Sequence, residues 1–154
     1  MPAMTGTEME IWKEKPWGRT RPQCRSEVAH VDEIEIAAGG YCSIHCHSAK
    51  VNVFHVLSGR LYVRQFTGNG DRLRGEHIAP GCSVIVPAGI WHQFWAPAET
   101  RAVEVYMPIN GVQLLHEDIE RHTGLPVGGI ELSYHGMGEL WAKAFLNAHA
   151  SNKA

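Results

Sequence analysis

Short strand-like segments, separated by turns rich in glycine and proline, run through the chain from residue 25 to residue 107. They cover residues 25–37, 41–47, 51–57, 60–66, 72–78, 83–86, 91–95 and 101–107. No helical periodicity interrupts them, and short strands at such close spacing are typical of an all-β sandwich or a small barrel. The pattern therefore predicts an all-β fold for this part of the chain.

After Pro108 the pattern changes. His116–His122 is strongly charged and predicts a short helix, whereas Val127–Tyr134 predicts irregular structure or a short strand. Met137–His149 places apolar residues on one face of an amphipathic helix, and this face must be covered by the barrel or by a second subunit. We expect a flexible leader in residues 1–10, a barrel with an N-terminal arm and a short helix in 11–124, and a C-terminal extension with the amphipathic helix in 125–154.

The charge and cysteine content restrict the partners. A formal net charge of −2 gives no electrostatic reason to expect nucleic acid or an anionic membrane as a partner. No apolar run approaches the length that spans a bilayer, and the first residues do not form a signal-peptide pattern. The four cysteines contain no C-x2-C pair and predict reduced thiols. We expect a cytoplasmic protein that acts on a small molecule.

Two histidine-bearing motifs predict a metal site. The first, from Gly39 to Gly59, has the spacing G-x5-H-x-H-x4-N-x6-G, and alternation along a strand puts His45 and His47 on one face. The second, G-x5-P-x-G-x2-H, begins at Gly81 and adds a third imidazole, His92. Three imidazoles at the centre of a barrel would leave coordination positions open for water and substrate. Imidazole ligands suit a divalent metal ion such as Fe, Zn, Mn or Ni.

Asn52 follows the histidine pair and shares a strand face with Phe54 and Val56. If that face is inward, the Asn52 amide either contributes a metal ligand or orients a metal-bound water. The same alternation places Cys42 and Cys46 opposite the two histidines, where they are interpreted as small buried residues, and places His55 opposite Asn52.

The two motifs, in this order, resemble the signature motifs of the cupin superfamily. The resemblance implies a double-stranded β-helix (a jelly-roll barrel), here with an N-terminal arm and C-terminal α-helices, and implies that a homodimer is common. It departs at Asn52, where the family usually has a glutamate. Further similarity over about residues 13–124, including Lys15-Pro16-Trp17-Gly18 and the HEDIERHTG run, resembles the cupin domain of type II mannose-6-phosphate isomerase.

The isomerase resemblance implies a reaction in which a metal polarises a carbonyl and a base moves a proton between adjacent carbons through an enediol. Glu104, which shares a strand face with Tyr106, is the best candidate base. A substrate phosphate would need cations, and four are available for this role: Lys50, Arg60, Arg64 and Arg101.

Two alternatives remain open at this point. Three histidines without a carboxylate resemble the iron centre of cupin dioxygenases that act on thiols or diketones, with Phe94 lining the pocket and Tyr106 or Tyr62 as the acid or base. The third hypothesis is a non-catalytic cupin that binds a small sugar or acid.

Overall fold

A computed structural model of the chain describes residues 11–66, 72–109, 118–121 and 127–151, and it describes all their side chains except those of 72–74 and 144–151. The described elements are β1 Lys13–Lys15, β2 Gly18–Arg25, β3 His30–Ile36, β4 Gly40–Cys42, β5 His45–Cys46, β6 Lys50–Ser58, β7 Leu61–Phe66, β8 Arg72–Ile78, β9 Ser83–Val86, β10 Trp91–Trp95, β11 Thr100–Pro108, β12 Glu120–Arg121, β13 Gly128–Ile130 and α1 Tyr134–Ser151.

The strands form two antiparallel sheets. One has the order β1-β2-β3-β11-β6-β9, and the other has the order β12-β5-β10-β4-β13, with β7 pairing both β10 and β8. The architecture is mostly β and consistent with a jelly roll, which agrees with the prediction. The all-β barrel region agrees in particular, because residues 25–107 contain no helix among those described.

The inner faces of the two sheets supply the main core. Phe54 and Val56 of β6 lie in it with Ile34 of β3 and Phe94 of β10. Alternation along β6 explains this placement, because Asn52, Phe54 and Val56 are buried while Val53 and His55 between them are only partly buried. The predicted inward face of this strand is confirmed.

The N-terminal arm is a β-hairpin that extends the first sheet. At its turn Trp17 is buried and packs edge-on against Phe94, with ring centroids 5.1 Å apart. Gly18 follows with a φ of 150°, and a Cβ atom at this position would lie 2.0 Å from the carbonyl oxygen of Glu35. The P-W-G sequence thus lets the arm pass directly over the backbone of β3.

A second apolar cluster lies between the second sheet and α1. Met137 and Trp141 of the helix pack there with Tyr62, Phe66 and Trp95. The prediction of a helix over Met137–His149 is confirmed, and the described part of its apolar face, Met137, Leu140 and Trp141, packs on its own barrel. No helix within the described residues is long and apolar enough to span a bilayer.

Two predictions of local structure are wrong. The strand expected over Tyr41–His47 is interrupted at Ser43 and Ile44. Tyr41 and Ile44 both pack in the cluster under α1, whereas Cys42 and Ser43 both line the pocket that contains His45, so the alternation slips by one residue. Cys42 consequently lies on the histidine side rather than opposite it, although it is buried as expected.

The helix expected over His116–His122 is also contradicted where the chain is described. Asp118 and Ile119 are irregular, and the next two residues form β12, which pairs antiparallel with β5. Residues 116, 117 and 122 lie outside the described part. Backbone pairing with β5 overrides the local sequence preference here, so α1 is the single helix among the described residues.

Candidate metal centre

Three imidazoles meet inside the barrel. His45 lies on β5 and is the register partner of His92 on β10, and His47 follows directly after β5. The ring centroids are 5.0 Å apart for His45 and His47, 4.4 Å for His45 and His92, and 5.4 Å for His47 and His92. One ring nitrogen from each residue lies within 4.8 Å of the others, and all three side chains are buried. The structure thus brings together the three histidines that the motifs predicted.

Backbone carbonyls fix the ring orientation of all three histidines. The Nδ1 atoms of His45, His47 and His92 lie 2.8, 2.6 and 2.9 Å from the carbonyl oxygens of Ser43, Asp118 and Ile90 respectively. Because a carbonyl oxygen can only accept, each Nδ1 carries the hydrogen. Each Nε2 then keeps its lone pair, and this tautomer is the one that can bind a metal through Nε2.

Burial keeps these imidazoles neutral. It is the main cause that lowers the pKa of His45 and of His47 below the ordinary value of 6.5, and it lowers the pKa of His92 to about 4. Nε2 of His47 is buried without a hydrogen-bond partner in the described structure. A buried polar atom of this kind indicates a missing partner. Neutral imidazoles with free lone pairs therefore fit a divalent metal ion, with coordination positions left for other ligands.

Asn52 sits next to the cluster but does not direct its oxygen at it. Its side chain is 1% exposed, and its Nδ2 donates to Oε1 of Glu104 at 3.0 Å and lies 3.5 Å from Nε2 of His92. Oδ1 is buried without a partner in the described structure. The amide thus connects the cluster to Glu104, and an oxygen ligand from Asn52 would require the amide to turn over. Whether Asn52 binds the metal stays a prediction.

Glu104 and Tyr106 line the same pocket as His45 and His47. Tyr106 donates its hydroxyl to Oε1 of Glu104 at 2.5 Å, and the rings of Tyr106 and His47 are 5.4 Å apart. Burial raises the pKa of Glu104, and the hydrogen bonds from Tyr106 and Asn52 only partly offset this effect. The hydrogen bonds from Tyr106 and Asn52 both end at Oε1.

A short segment beyond the last barrel strand supports His47. Besides the carbonyl that binds its ring, Asp118 accepts hydrogen bonds at its carboxylate from Ser48 N at 2.9 Å, Ser48 Oγ at 2.6 Å and Ala49 N at 2.8 Å. Next to it, β12 pairs with β5, with Arg121 opposite His45. Asp118 therefore fixes both the ring of His47 and the loop that follows it.

The pocket has a volume of about 360 Å³, and it contains some of the predicted residues but not others. Lys50 and Phe94 line it as expected. Arg60, Arg64, Arg101 and Tyr62 are not among its lining residues. The guanidinium of Arg64 stacks over Trp141, and Arg101 pairs with Glu33 at 2.8 Å, so the predicted phosphate-binding role for these cations is not supported.

Sequence reasoning missed the contribution of the N-terminal hairpin and of β12. Lys13 and Lys15 on β1, Arg25 on β2 and Arg121 on β12 all line the pocket, as does His30. The alternating KEK sequence beside the P-W-G turn was the available signal for the two lysines.

Comparison with known proteins supports the fold. A family model described as "Cupin domain" matches residues 32–108, half of the chain. A structure of oxalate decarboxylase from Bacillus subtilis at pH 4.6 is 13% identical with a TM-score of 0.62, covering 73% of this chain and 30% of that one. A second oxalate decarboxylase structure, on the substrate binding mode and a reaction specificity switch, is 15% identical with a TM-score of 0.58, covering 65% of this chain and 28% of that one. No curated protein has a matching sequence.

Proposed function

The chain belongs to the cupin family, and on this basis we propose that it is a divalent-metal enzyme that moves a proton within a small polar metabolite, in the manner of a sugar-phosphate isomerase. The observation that carries the proposal is the position of Glu104. This carboxylate is 8% exposed, lines the same pocket as His45 and His47 and is connected to His92 through Asn52. A base so close to a metal centre is the arrangement that proton abstraction next to a carbonyl requires.

Each residue then has a defined task. A metal held by His45, His47 and His92 would polarise a substrate oxygen and make the proton on the adjacent carbon more acidic. Oε2 of Glu104 accepts that proton from one carbon and returns it to the next. Tyr106 and Asn52 hold Oε1, so the carboxylate keeps one orientation throughout.

Deuterium exchange tests this proposal directly. Protein reconstituted with Zn, Mn or Ni is incubated with mannose 6-phosphate or fructose 6-phosphate in D₂O, and label at the carbon beside the carbonyl is measured by mass spectrometry. Glu104→Gln should lower the exchange rate at least about 100-fold, the usual contribution of a positioned base, while metal content is unchanged. Glu35→Gln, on the outer face of the sheet, is the matched control. Exchange that persists in Glu104→Gln, or its absence from the wild type with every metal, contradicts the proposal.

The orientation of Asn52 favours a second candidate. With its amide nitrogen nearest the cluster, the ligands available are three histidines and no carboxylate, a set that suits an iron dioxygenase of thiols or diketones. Elemental mass spectrometry of untagged protein, purified without chelators, distinguishes the two. Near-stoichiometric iron with oxygen consumption on thiols or diketones would favour the dioxygenase. Ligand binding without turnover under any condition would favour a non-catalytic cupin.

The choice of substrates follows from the likenesses. Mannose 6-phosphate comes first because of the resemblance to type II mannose-6-phosphate isomerase. Oxalate is added because the similar solved structures are of oxalate decarboxylase, although at 13% identity that likeness concerns the fold alone. We also propose that the protein forms a homodimer, which sedimentation analysis would test.

A further inference from the structure

The pocket carries an excess of positive charge within a chain of net charge −2. Five cationic side chains line it, namely Lys13, Lys15, Arg25, Lys50 and Arg121, against two carboxylates, Asp32 and Glu104. A bound divalent metal would add to this excess. We propose that Lys13 and Lys15 form a binding subsite for an oxyanion group of the substrate, a phosphate or a carboxylate, held away from the metal by the N-terminal hairpin.

The two lysines reach the pocket because of strand geometry. Lys13 and Lys15 are two residues apart on β1 and share a face, and in the register of the hairpin Lys13 lies opposite Thr20, which also lines the pocket. Glu14 between them is absent from the lining, and Arg19, its register partner, pairs with Glu35 at 2.6 Å. The hairpin thus presents its lysines inward and its acidic residue outward.

Ion pairing distinguishes the two hairpin lysines from the arginines of this sheet. On the outer face Arg19 pairs with Glu35, and Arg21 and Arg101 both pair with Glu33. In the part of the chain that the structure describes, no carboxylate forms an ion pair with Lys13, Lys15 or Arg121. Arg25, which also lines the pocket, pairs with Asp32 at 2.5 Å. Lys13, Lys15 and Arg121 are therefore the pocket cations that are available to a ligand.

Lys50 places further positive charge deeper in the pocket. It is 5% exposed, and its ammonium lies 4.5 Å from the centre of the Tyr106 ring. Because the interior screens charge less than water does, a buried cation next to a cleft attracts an anion more strongly than an exposed one. Lys50 therefore adds to the attraction that Lys13 and Lys15 exert on an anion in the pocket.

The inference rests on the proposed function in one respect, namely that the reacting part of the substrate is at the metal and the oxyanion at the hairpin. An oxyanion offers several acceptor oxygens, and two ammonium groups on adjacent inward positions can each donate to it. A neutral metabolite would leave these charges unmatched.

Binding can be measured apart from turnover. Isothermal titration at low salt compares mannose 6-phosphate with mannose, and succinate with succinamide, on His47→Ala protein, so that no metal at the three-histidine site contributes to anion binding. We expect at least one charged probe to bind about tenfold more tightly than its neutral counterpart. This difference should disappear at about 0.5 M salt, because that ionic strength screens surface charge. The phosphate and carboxylate arms distinguish the two sources of the anion.

The variants locate the subsite. Lys13→Gln/Lys15→Gln should weaken binding of the charged probe about tenfold, whereas Arg19→Gln/Arg60→Gln, which removes two positive charges elsewhere, should change it less than about twofold. The proposal is overturned if neither charged probe binds better than its neutral counterpart, or if the lysine variant behaves as the arginine control does. Loss of deuterium exchange with intact anion binding would contradict the proposed reaction alone.

Discussion

Replacing Asp118 with alanine should weaken the positioning of His47 as a metal ligand, although His47 itself is unchanged. The carboxylate accepts three hydrogen bonds from Ser48 and Ala49, the residues that follow His47. Bonds to a charged acceptor contribute about 1.5–3 kcal/mol each when buried. Because Ser48 is exposed and Ala49 half-buried, solvent competes for these groups, and we assign about 2 kcal/mol to the three bonds together.

That energy sets the expected loss of metal affinity. The backbone carbonyl of residue 118 remains in Asp118→Ala, but it no longer has a fixed position against Nδ1 of His47. If metal binding requires the segment around Asp118 to stay in place, a loss of about 2 kcal/mol lowers the metal affinity by at most roughly 30-fold. This lies within the range of about 10- to 100-fold for removal of a partner of a metal ligand. Competition against a chromophoric chelator with Co²⁺ or Zn²⁺ measures the affinity.

Two controls separate positioning from other effects. Glu120 lies on the same segment, and Glu120→Ala removes the same charge. The metal affinity of this variant should stay within about threefold of the wild-type value. A loss that came only from removing a negative charge near the metal would shrink at high salt, whereas a loss of positioning would persist. Wild-type affinity in Asp118→Ala, with an unchanged unfolding transition, would refute the reasoning.

Three further predictions concern metal retention, acid stability and the arm. Elemental mass spectrometry should find no metal in His47→Ala, although its circular dichroism spectrum should match that of the wild type. His55→Ala, on the opposite face of the strand, should keep the metal. Retained metal in His47→Ala would disprove the site. Hydrogen bonds from Arg101 and then Arg21 lower the pKa of Glu33 below its ordinary value of 4.5, so its carboxylate stabilises the fold above that pH and loses this effect as the pH falls through the lowered pKa. Glu33→Gln should therefore cost about 1–2 kcal/mol of unfolding free energy at pH 7 and progressively less in acid, and an equal cost at both ends in urea titrations would contradict this. Gly18→Ala should lower the free energy of unfolding by about 2–4 kcal/mol, because a Cβ atom there would lie 2.0 Å from the Glu35 carbonyl oxygen. Gly138→Ala in α1, where the added carbon has no atom within 4 Å, should raise the free energy of unfolding by as much as about 1 kcal/mol. Thermal melts that rank the two variants the other way would contradict this reasoning.

The sequence was sufficient for the parts of the site that lie in regular strands. Alternation along β6 put Asn52, Phe54 and Val56 on one inward face, as observed. The motif spacings identified His45, His47 and His92, which converge. These predictions succeed because each depends on a two-residue period or a turn, and both are local properties of the chain.

The remainder depends on contacts between distant parts of the chain. Strict alternation failed at Ser43 and Ile44, where the extra residue in the strand moves Cys42 to the histidine side. The charged run around Asp118 resembles a helix locally, yet β12 pairs with β5 about 75 residues away (a separation that local propensity cannot encode). The pocket lysines were missed because their role depends on the hairpin register with β2.

The tautomers of all three histidines are set by main-chain carbonyls, and this affects how the site can change during evolution. A point substitution at position 43, 90 or 118 replaces a side chain but leaves the carbonyl oxygen in the chain. Sequence drift at positions 43 and 90 should therefore be tolerated as far as the ring protons are concerned, whereas at position 118 the side chain also holds the carbonyl in place. An insertion or deletion in any of the three loops would move the acceptor itself. Variation in loop length, more than in residue identity, should mark members of this lineage that have lost the centre.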